Sequence, residues 1–465
     1  MDCFLNGGHS VSKGCVVQLF CQGIFYLSNG HSLRKSILPS AQHIACYPAG
    51  WWTNKYSFCL VTGRSFPIDL TIIILTVKFN MQHFRKYLFV LLILPLGLLG
   101  GERSMVIIHK QGEVNCHTFR IPGITRTLNG TLLAVYDMRY NSRRDLQGHM
   151  DIGLSRSTDG GKTWEAPRPI MDMGSFGGLG EDQNGCSDPN ILVDRQTGEI
   201  FVAALWTHGK PGTHQWRGKG SEPGHDITQS TQFIMVRSTD DGITWTRPKN
   251  WTTRLKNSEW YLFAPAPGNG ITMRDGTLVM PTQGRDAEGL PFSNLMWSRD
   301  HGKSWTLGSH ARSNTTECAV AELSDGSLML NMRDNRNRKD KSVTNGRAVS
   351  VTRDLGQTWA RHVSDHVALP EPVCMASLIS HTLTGGKRVL FFSNPNSKTR
   401  RERMTVRVSL DDGRTWPSNR QVLLDEQGGA YSSLVMIDEK TLGILYESSV
   451  ADLVFQRISL TEFGL

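Results

Sequence analysis

From about residue 116 onward, apolar positions come in short runs, and each run is opened by a glycine. The runs at 130–137 (Gly-Thr-Leu-Leu-Ala-Val-Tyr-Asp), 198–205 (Gly-Glu-Ile-Phe-Val-Ala-Ala-Leu), 276–281 (Gly-Thr-Leu-Val-Met-Pro), 326–331 (Gly-Ser-Leu-Met-Leu-Asn) and 386–393 (Gly-Lys-Arg-Val-Leu-Phe-Phe-Ser) share that form. Runs of this length, bounded by turn residues, predict β-strands. No stretch sustains the apolar spacing of a long helix.

Between the apolar runs one polar pattern returns five times: Ser/Thr-x-Asp-x-Gly-x-x-Trp, at 157–164, 238–245, 298–305, 352–359 and 409–416. Each copy makes local sense as a hairpin connection. The Asp and Ser/Thr side chains can accept or make bonds within the turn, the Gly tolerates a positive φ, and the Trp can fold back onto the strands. The aspartates Asp159, Asp240, Asp300, Asp354 and Asp411 recur every 54–81 residues. Self-similarity at that period, in a strand-rich chain, predicts a β-propeller of four-stranded antiparallel blades. About 360 residues at roughly 60 per blade give six blades.

The chain has 465 residues, 39% of them hydrophobic, enough for a sizeable core. Its formal charge of +9 is uneven, because residues 1–80 hold six Lys/Arg against two Asp/Glu. What remains is too mildly basic to argue for nucleic acid. Residues 1–80 also hold five of the nine cysteines and no copy of the turn pattern. Next, Arg85 and Lys86 precede an apolar core at 87–99 and the small pair Gly100-Gly101, the layout of a secretory leader and short for a membrane span. The expectation is therefore that translation naturally starts at Met81, that 81–102 is a signal peptide, that 103–465 is the propeller, and that the product is secreted or periplasmic. The later cysteines Cys116, Cys186, Cys318 and Cys374 show no C-x-x-C spacing, so no zinc or redox motif is expected.

The chemistry has to come from polar residues outside the repeated turns. Phe119-Arg120-Ile121-Pro122 opens a strand, and a polar stretch from Arg139 to Asp145 precedes the first turn pattern. Glu317 follows Asn314-Thr-Thr, Arg333 follows Asn331-Met, and Arg401 stands shortly before the strand beginning at Met404. Late in the chain come Gly428-Gly-Ala-Tyr431-Ser-Ser and Leu445-Tyr446-Glu447. In order and spacing this set resembles the exo-α-sialidases (neuraminidases) of the secreted bacterial type, over about residues 116–456.

That resemblance implies a set of roles. Arg120, Arg333 and Arg401 would clamp the substrate carboxylate, a task suited to rigid guanidinium forks. Tyr431 would be the nucleophile and Glu317 its base. Asp145 would protonate the leaving oxygen. Glu447 would hold Arg120, and Arg139 with Asp188 would lie near the sugar 4-hydroxyl. Trp206, His208 and Trp216 fall where such enzymes build an N-acetyl pocket, although each also reads as an ordinary core or loop aromatic. A tyrosine nucleophile has a physical rationale: the anomeric carbon bears a carboxylate, and a neutral phenol approaches it without like-charge repulsion. The implied activity is hydrolysis of terminal α-linked sialic acids from glycoproteins, glycolipids or oligosaccharides, with retention and no cofactor. The alternatives are a trans-sialidase and a non-catalytic sialoglycan-binding propeller. A glycan at the Asn314-Thr-Thr sequon would crowd Glu317, so that sequon is expected to stay unmodified.

Overall fold

The computed structural model describes residues 105–208, 220–450 and 452–465, and the backbone of four strands ahead of them. The chain divides into two compact units, Met1–Glu102 and Arg103–Leu465. In the first, strands His43–Pro48, Tyr56–Gly63, Leu70–Met81 and Phe84–Pro95 pair in sequence order as an antiparallel meander. The expectations for an extraneous segment at 1–80 and a leader at 81–102 concern this unit, whose side chains lie outside the described residues.

The second unit is a six-bladed β-propeller. Blade one is Thr118–Arg126, Leu132–Arg139, Met150–Ser157 and Arg168–Met171, paired in that order. Blades two and three begin at Cys186 and Leu262, and each adds short two-residue strands to its sheet. One of these additions is parallel: Gly268–Asn269 pairs alongside Cys186–Val193. Blades four, five and six start with Thr315–Glu322, Ser377–Thr382 and Ser432–Met436. The last blade takes its outer strand from Met105–His109, which pairs with Leu453–Ser459 and closes the ring. Helix is nearly absent, and none among the described residues is long and apolar enough to cross a membrane.

Ring closure explains why six blades carry five turn patterns. The pattern links the third and fourth strands of blades one to five. In blade six the fourth strand comes from the other end of the sequence, so there is no such link to make. The turn works as the residues suggested. In the first copy Asp159 Oδ1 accepts from the amides of Lys162 and Thr163 at 3.0 Å each, Oδ2 accepts from Thr163 Oγ1 at 2.7 Å, and Ser157 Oγ accepts from the Gly161 amide at 2.8 Å. The equivalent bonds from Thr244, Ser304 and Thr358 hold the carboxyl groups of Asp240, Asp300 and Asp354 down at about 2.

Each copy also docks on the preceding blade. Trp164 meets Phe455 of blade six edge-on at 5.1 Å, and Trp305 meets Phe201 of blade two at 6.0 Å. The pattern glycine is required by both backbone and space. Gly161 has φ +83°, and a Cβ there would fall 2.1 Å from the Phe455 ring. Between blades the core is filled by apolar residues, such as Leu133, Val135, Ile191 and Val202 between blades one and two.

Candidate active site

The site lies on the face formed by the starts of the innermost strands and the loops between second and third strands, opposite the turn patterns. Three innermost strands break register there: between Arg120 and Gly123, between Ser187 and Asn190, and between Thr315 and Cys318. Such bulges re-aim side chains. Ile121 and Asp188 take left-handed φ values of +58° and +61° at these breaks. The motif Arg120-Ile121-Pro122 suits its place, because proline has no N–H to lose where the ladder is interrupted. The turned Ile121 amide donates to Glu447 Oε1 at 2.9 Å.

Tyr431 stands at the entrance to the first strand of blade six, 6% exposed. Its hydroxyl donates to Glu317 Oε1 and accepts from Arg333 Nη1, the latter at 3.0 Å. Arg333 Nη1 also donates to Glu317 Oε2. The guanidinium carbons of Arg120 and Arg401 lie 5.6 and 5.5 Å from the centre of the Tyr431 ring. Burial, and then the charge of Glu317, push the phenol well above its ordinary value, while Arg333 and Arg401 pull the other way. The phenol therefore keeps its proton at neutral pH, with a carboxylate in place to receive it.

The three arginines are held by different means. Arg120 makes a two-point contact with Glu447, through Nε and Nη2 at 3.2 Å each. Arg333 is held by Glu317, and Arg401 donates to the Val373 carbonyl at 3.1 Å. Beside Arg120 on the same blade, Asp145 sits in the loop after Leu132–Arg139. It accepts from Arg139 Nη1 at 2.9 Å, lies 3.7 Å from Arg120 Nη1, and has a 40% exposed side chain.

Arg120, Asp145, Asp188, Glu317, Arg333, Arg401 and Tyr431 all line one cavity of about 320 Å³. Arg139 and Glu447 stand directly behind it, through the bonds just given. All nine residues singled out from the sequence thus meet in one place. Trp206 does not join them as a surface aromatic: it is fully buried, and its indole N–H donates to Asn184 Oδ1 at 2.6 Å. The His208 carbonyl accepts from Gln147 at 2.7 Å, and Trp216 lies outside the described residues.

Two participants escaped the sequence reading. Asp137 is fully buried and accepts from Arg139 Nε and Nη2 at 3.1 and 2.8 Å, and from the Asp188 amide at 3.0 Å. Burial pushes the Asp137 and Asp188 carboxyls up, Asp188 further because it also faces the Asp137 charge; Arg139 restrains Asp137. Gln283, 1% exposed, lines the cavity with an Oε1 that meets no donor within the described residues. The signal for Asp137 was a charged side chain inside an otherwise apolar run, two residues from Arg139 and so on the same face, whereas Gln283 stands in the polar stretch Thr282-Gln283-Gly284-Arg285 and carried no such signal.

Cys116, Cys186, Cys318 and Cys374 are buried and unbridged. Among the described residues no three His, Cys, Asp or Glu side chains are grouped to hold a metal ion. The arrangement offers a carboxylate clamp, a protonated phenol paired with a base, and a separate carboxyl facing them.

Residues 130–444 match the BNR repeat-like domain. The chain is 50% identical to a sialidase of Bacteroides fragilis over 365 residues, 78% of this chain and 65% of that one. It is 33% identical to a sialidase of Micromonospora viridifaciens, over 74% of this chain and 52% of the other. The chain thus spans less than two thirds of the length of these two relatives. Among solved structures it is similar to the Hadza microbial sialidase Hz136, with 43% identity, a TM-score of 0.74, and coverage of 85% of this chain and 74% of that one.

Proposed function

The chain belongs to the sialidase family built on BNR repeats, and from that premise we propose that it is an exo-α-sialidase. It hydrolyses terminal α-linked sialic acids of glycoconjugates with retention of configuration. One observation carries the reading: a single buried phenol is bonded to a carboxylate and ringed by three arginines fixed from three different blades. A carbohydrate-binding site has no need of that pairing.

In the proposed cycle Arg120, Arg333 and Arg401 take the substrate carboxylate and set the anomeric carbon over Tyr431. Tyr431 Oη bonds to that carbon, its proton passes to Glu317, and the bond to the leaving oxygen breaks as Asp145 protonates it. In the second half Asp145 removes a proton from water, the water oxygen attacks the anomeric carbon, the bond from that carbon to Tyr431 Oη breaks, and Glu317 returns the proton to the departing phenolate. Two displacements restore the α configuration. Asp188 lines the part of the wall proposed to meet the sugar 4-hydroxyl, with Asp137 and Arg139 bonded behind it.

The test is an NMR time course with a sialyllactose as substrate. Release of the α anomer first, followed by mutarotation, supports the reading. First release of the β anomer overturns the two-step mechanism, and a sialylated acceptor as main product would make the protein a transferase. Export through a leader beginning at Met81 belongs to the same proposal. Its test is N-terminal sequencing of the native product, which fails the idea if residues ahead of Met81 are retained.

A further inference from the structure

One pair of buried charges that the proposed cycle leaves unused lies behind the arginine clamp. Arg347 and Glu371 are 1% and 0% exposed, and Arg347 Nη1 donates to Glu371 Oε2 at 2.6 Å. Arg347 stands just ahead of strand Ala348–Thr352 in blade four. Glu371 lies in Leu369-Pro370-Glu371-Pro372, on the segment that leads from blade four to Ser377–Thr382 of blade five. Neither lines the cavity. Such a pair is costly to bury, because both charges lose their water, and apolar residues of similar volume often serve a fold as well. What the pair grips therefore matters more than its own attraction.

Its other bonds reach the chain around two of the clamp arginines. Glu371 Oε1 accepts at 2.7 Å from the Asp334 amide, the N–H that directly follows Arg333, and at 2.7 Å from Asn337 Nδ2. Two residues ahead of Arg333, the side-chain and main-chain oxygens of Asn331 accept from Arg347 Nε and Nη2 at 2.7 and 3.4 Å. Arg333 is thus braced on both sides. Arg347 Nη1 also donates to the Cys374 carbonyl at 2.7 Å. The carbonyl one residue earlier, that of Val373, accepts from Arg401 Nη2 at 3.1 Å. Val373 has φ +58°, a geometry that a β-branched residue keeps only where its surroundings enforce it. The buried pair grips the chain on either side of it, at Glu371 and at Cys374.

We propose that Arg347 and Glu371 are positioning residues: the pair ties the strand carrying Arg333 to the segment that holds Arg401, so that guanidinium groups from two blades meet the substrate carboxylate at one fixed separation. The inference rests on the sialidase reading, and it deepens that reading by naming what sets the clamp. Arg120 is held independently by Glu447, so the tie governs two of the three arginines. Losing it shifts the clamp without removing it, and a displacement of about 1 Å is enough to cost on the order of 10²-fold in rate.

The test uses the full chain and two readouts: kcat and KM on a sialyllactose, and calorimetric binding of 2-deoxy-2,3-didehydro-sialic acid, an analogue that keeps the carboxylate. Glu371→Gln removes the charge facing Arg347, and Arg347→Lys keeps its charge but gives up the fork that reaches Asn331 and Cys374. Each should lower kcat/KM by about 10- to 100-fold per folded molecule and weaken analogue binding by about tenfold. In an Arg401→Lys background the further loss from Glu371→Gln should shrink to about threefold or less, because it acts through a clamp already broken. Asp194→Asn controls for destabilisation: that buried carboxylate bonds His301 of the third turn pattern at 2.7 Å, on the opposite face. It should leave kcat/KM within about twofold. Circular dichroism identifies the folded variants. If a single variant unfolds, Arg347→Met/Glu371→Leu replaces the pair with apolar volume and should show the same losses in a folded protein. Unchanged turnover and binding in folded variants, or a loss that adds in full to that of Arg401→Lys, overturns the proposal. A wild type that binds the analogue but turns over no sialyllactose fails the sialidase reading, and the binding ratios then decide the positioning claim alone.

Discussion

At the scale of single residues, the proposed chemistry depends on which groups are charged. Tyr431 is buried against Glu317, which favours the neutral phenol, while Asp145 stands apart in a half-open loop. The two sides of the reaction should therefore separate by mutation. Asp145→Asn is expected to cost about 10²- to 10⁴-fold on sialyllactose, whose leaving oxygen needs a proton, and far less on activated aryl sialosides. Steady-state kinetics on both substrates checks this, and equal losses would remove Asp145 from the acid role. Arg333→Lys keeps the charge but gives up the planar guanidinium whose Nη1 donates to both Glu317 and Tyr431. A loss of about 2 kcal/mol, or roughly 30-fold in kcat/KM, is expected with the fold intact by circular dichroism. The nine site residues were legible because each sits in a short recognisable neighbourhood, such as Phe-Arg-Ile-Pro around Arg120. Asp137 and Gln283 were not. Only the folded structure shows that Asp137 braces Arg139 and that Gln283 faces the cavity.

At the scale of elements, the repeated turn is a clasp between blades. Gly161→Ala would place a methyl group against Phe455 at a positive φ, and a loss of about 3 kcal/mol in unfolding free energy is expected from denaturant titration. The aspartates make a pH statement. Asp240, Asp300 and Asp354 titrate at about 2 in the folded protein, below the ordinary carboxylate value. Their contribution is thus complete above about pH 4 and is lost as the pH falls towards 2. Thermal melts across that window should show stability declining with acid, and Asn at the three positions should flatten the slope. The turn, its glycine and its tryptophan could be read from five copies in the sequence. The short strands added to blades two and three could not, because two-residue pairings such as that of Gly268 with Asn190 are set by the neighbouring blade.

At the scale of the molecule, the ring brings Arg120, Arg333, Arg401 and Tyr431 together from blades one, four, five and six. Repeat spacing gave the number of blades. Closure by Met105–His109 had no local signature, since its partner Leu453–Ser459 lies at the opposite end of the unit. The contact between the loops of blades four and five, where Lys398 Nζ donates to the Ser342 carbonyl, was equally hidden, because the two loops meet only in the folded ring.

The central claim is that Tyr431 becomes bonded to the sugar. Intact-mass and peptide-mapping mass spectrometry of the protein trapped with 2,3-difluorosialic acid tests it most directly. The account predicts one sialyl adduct per chain, on the peptide containing Tyr431 and absent from Tyr431→Phe. An adduct on another residue, or none from a protein that turns sialyllactose over, would contradict it.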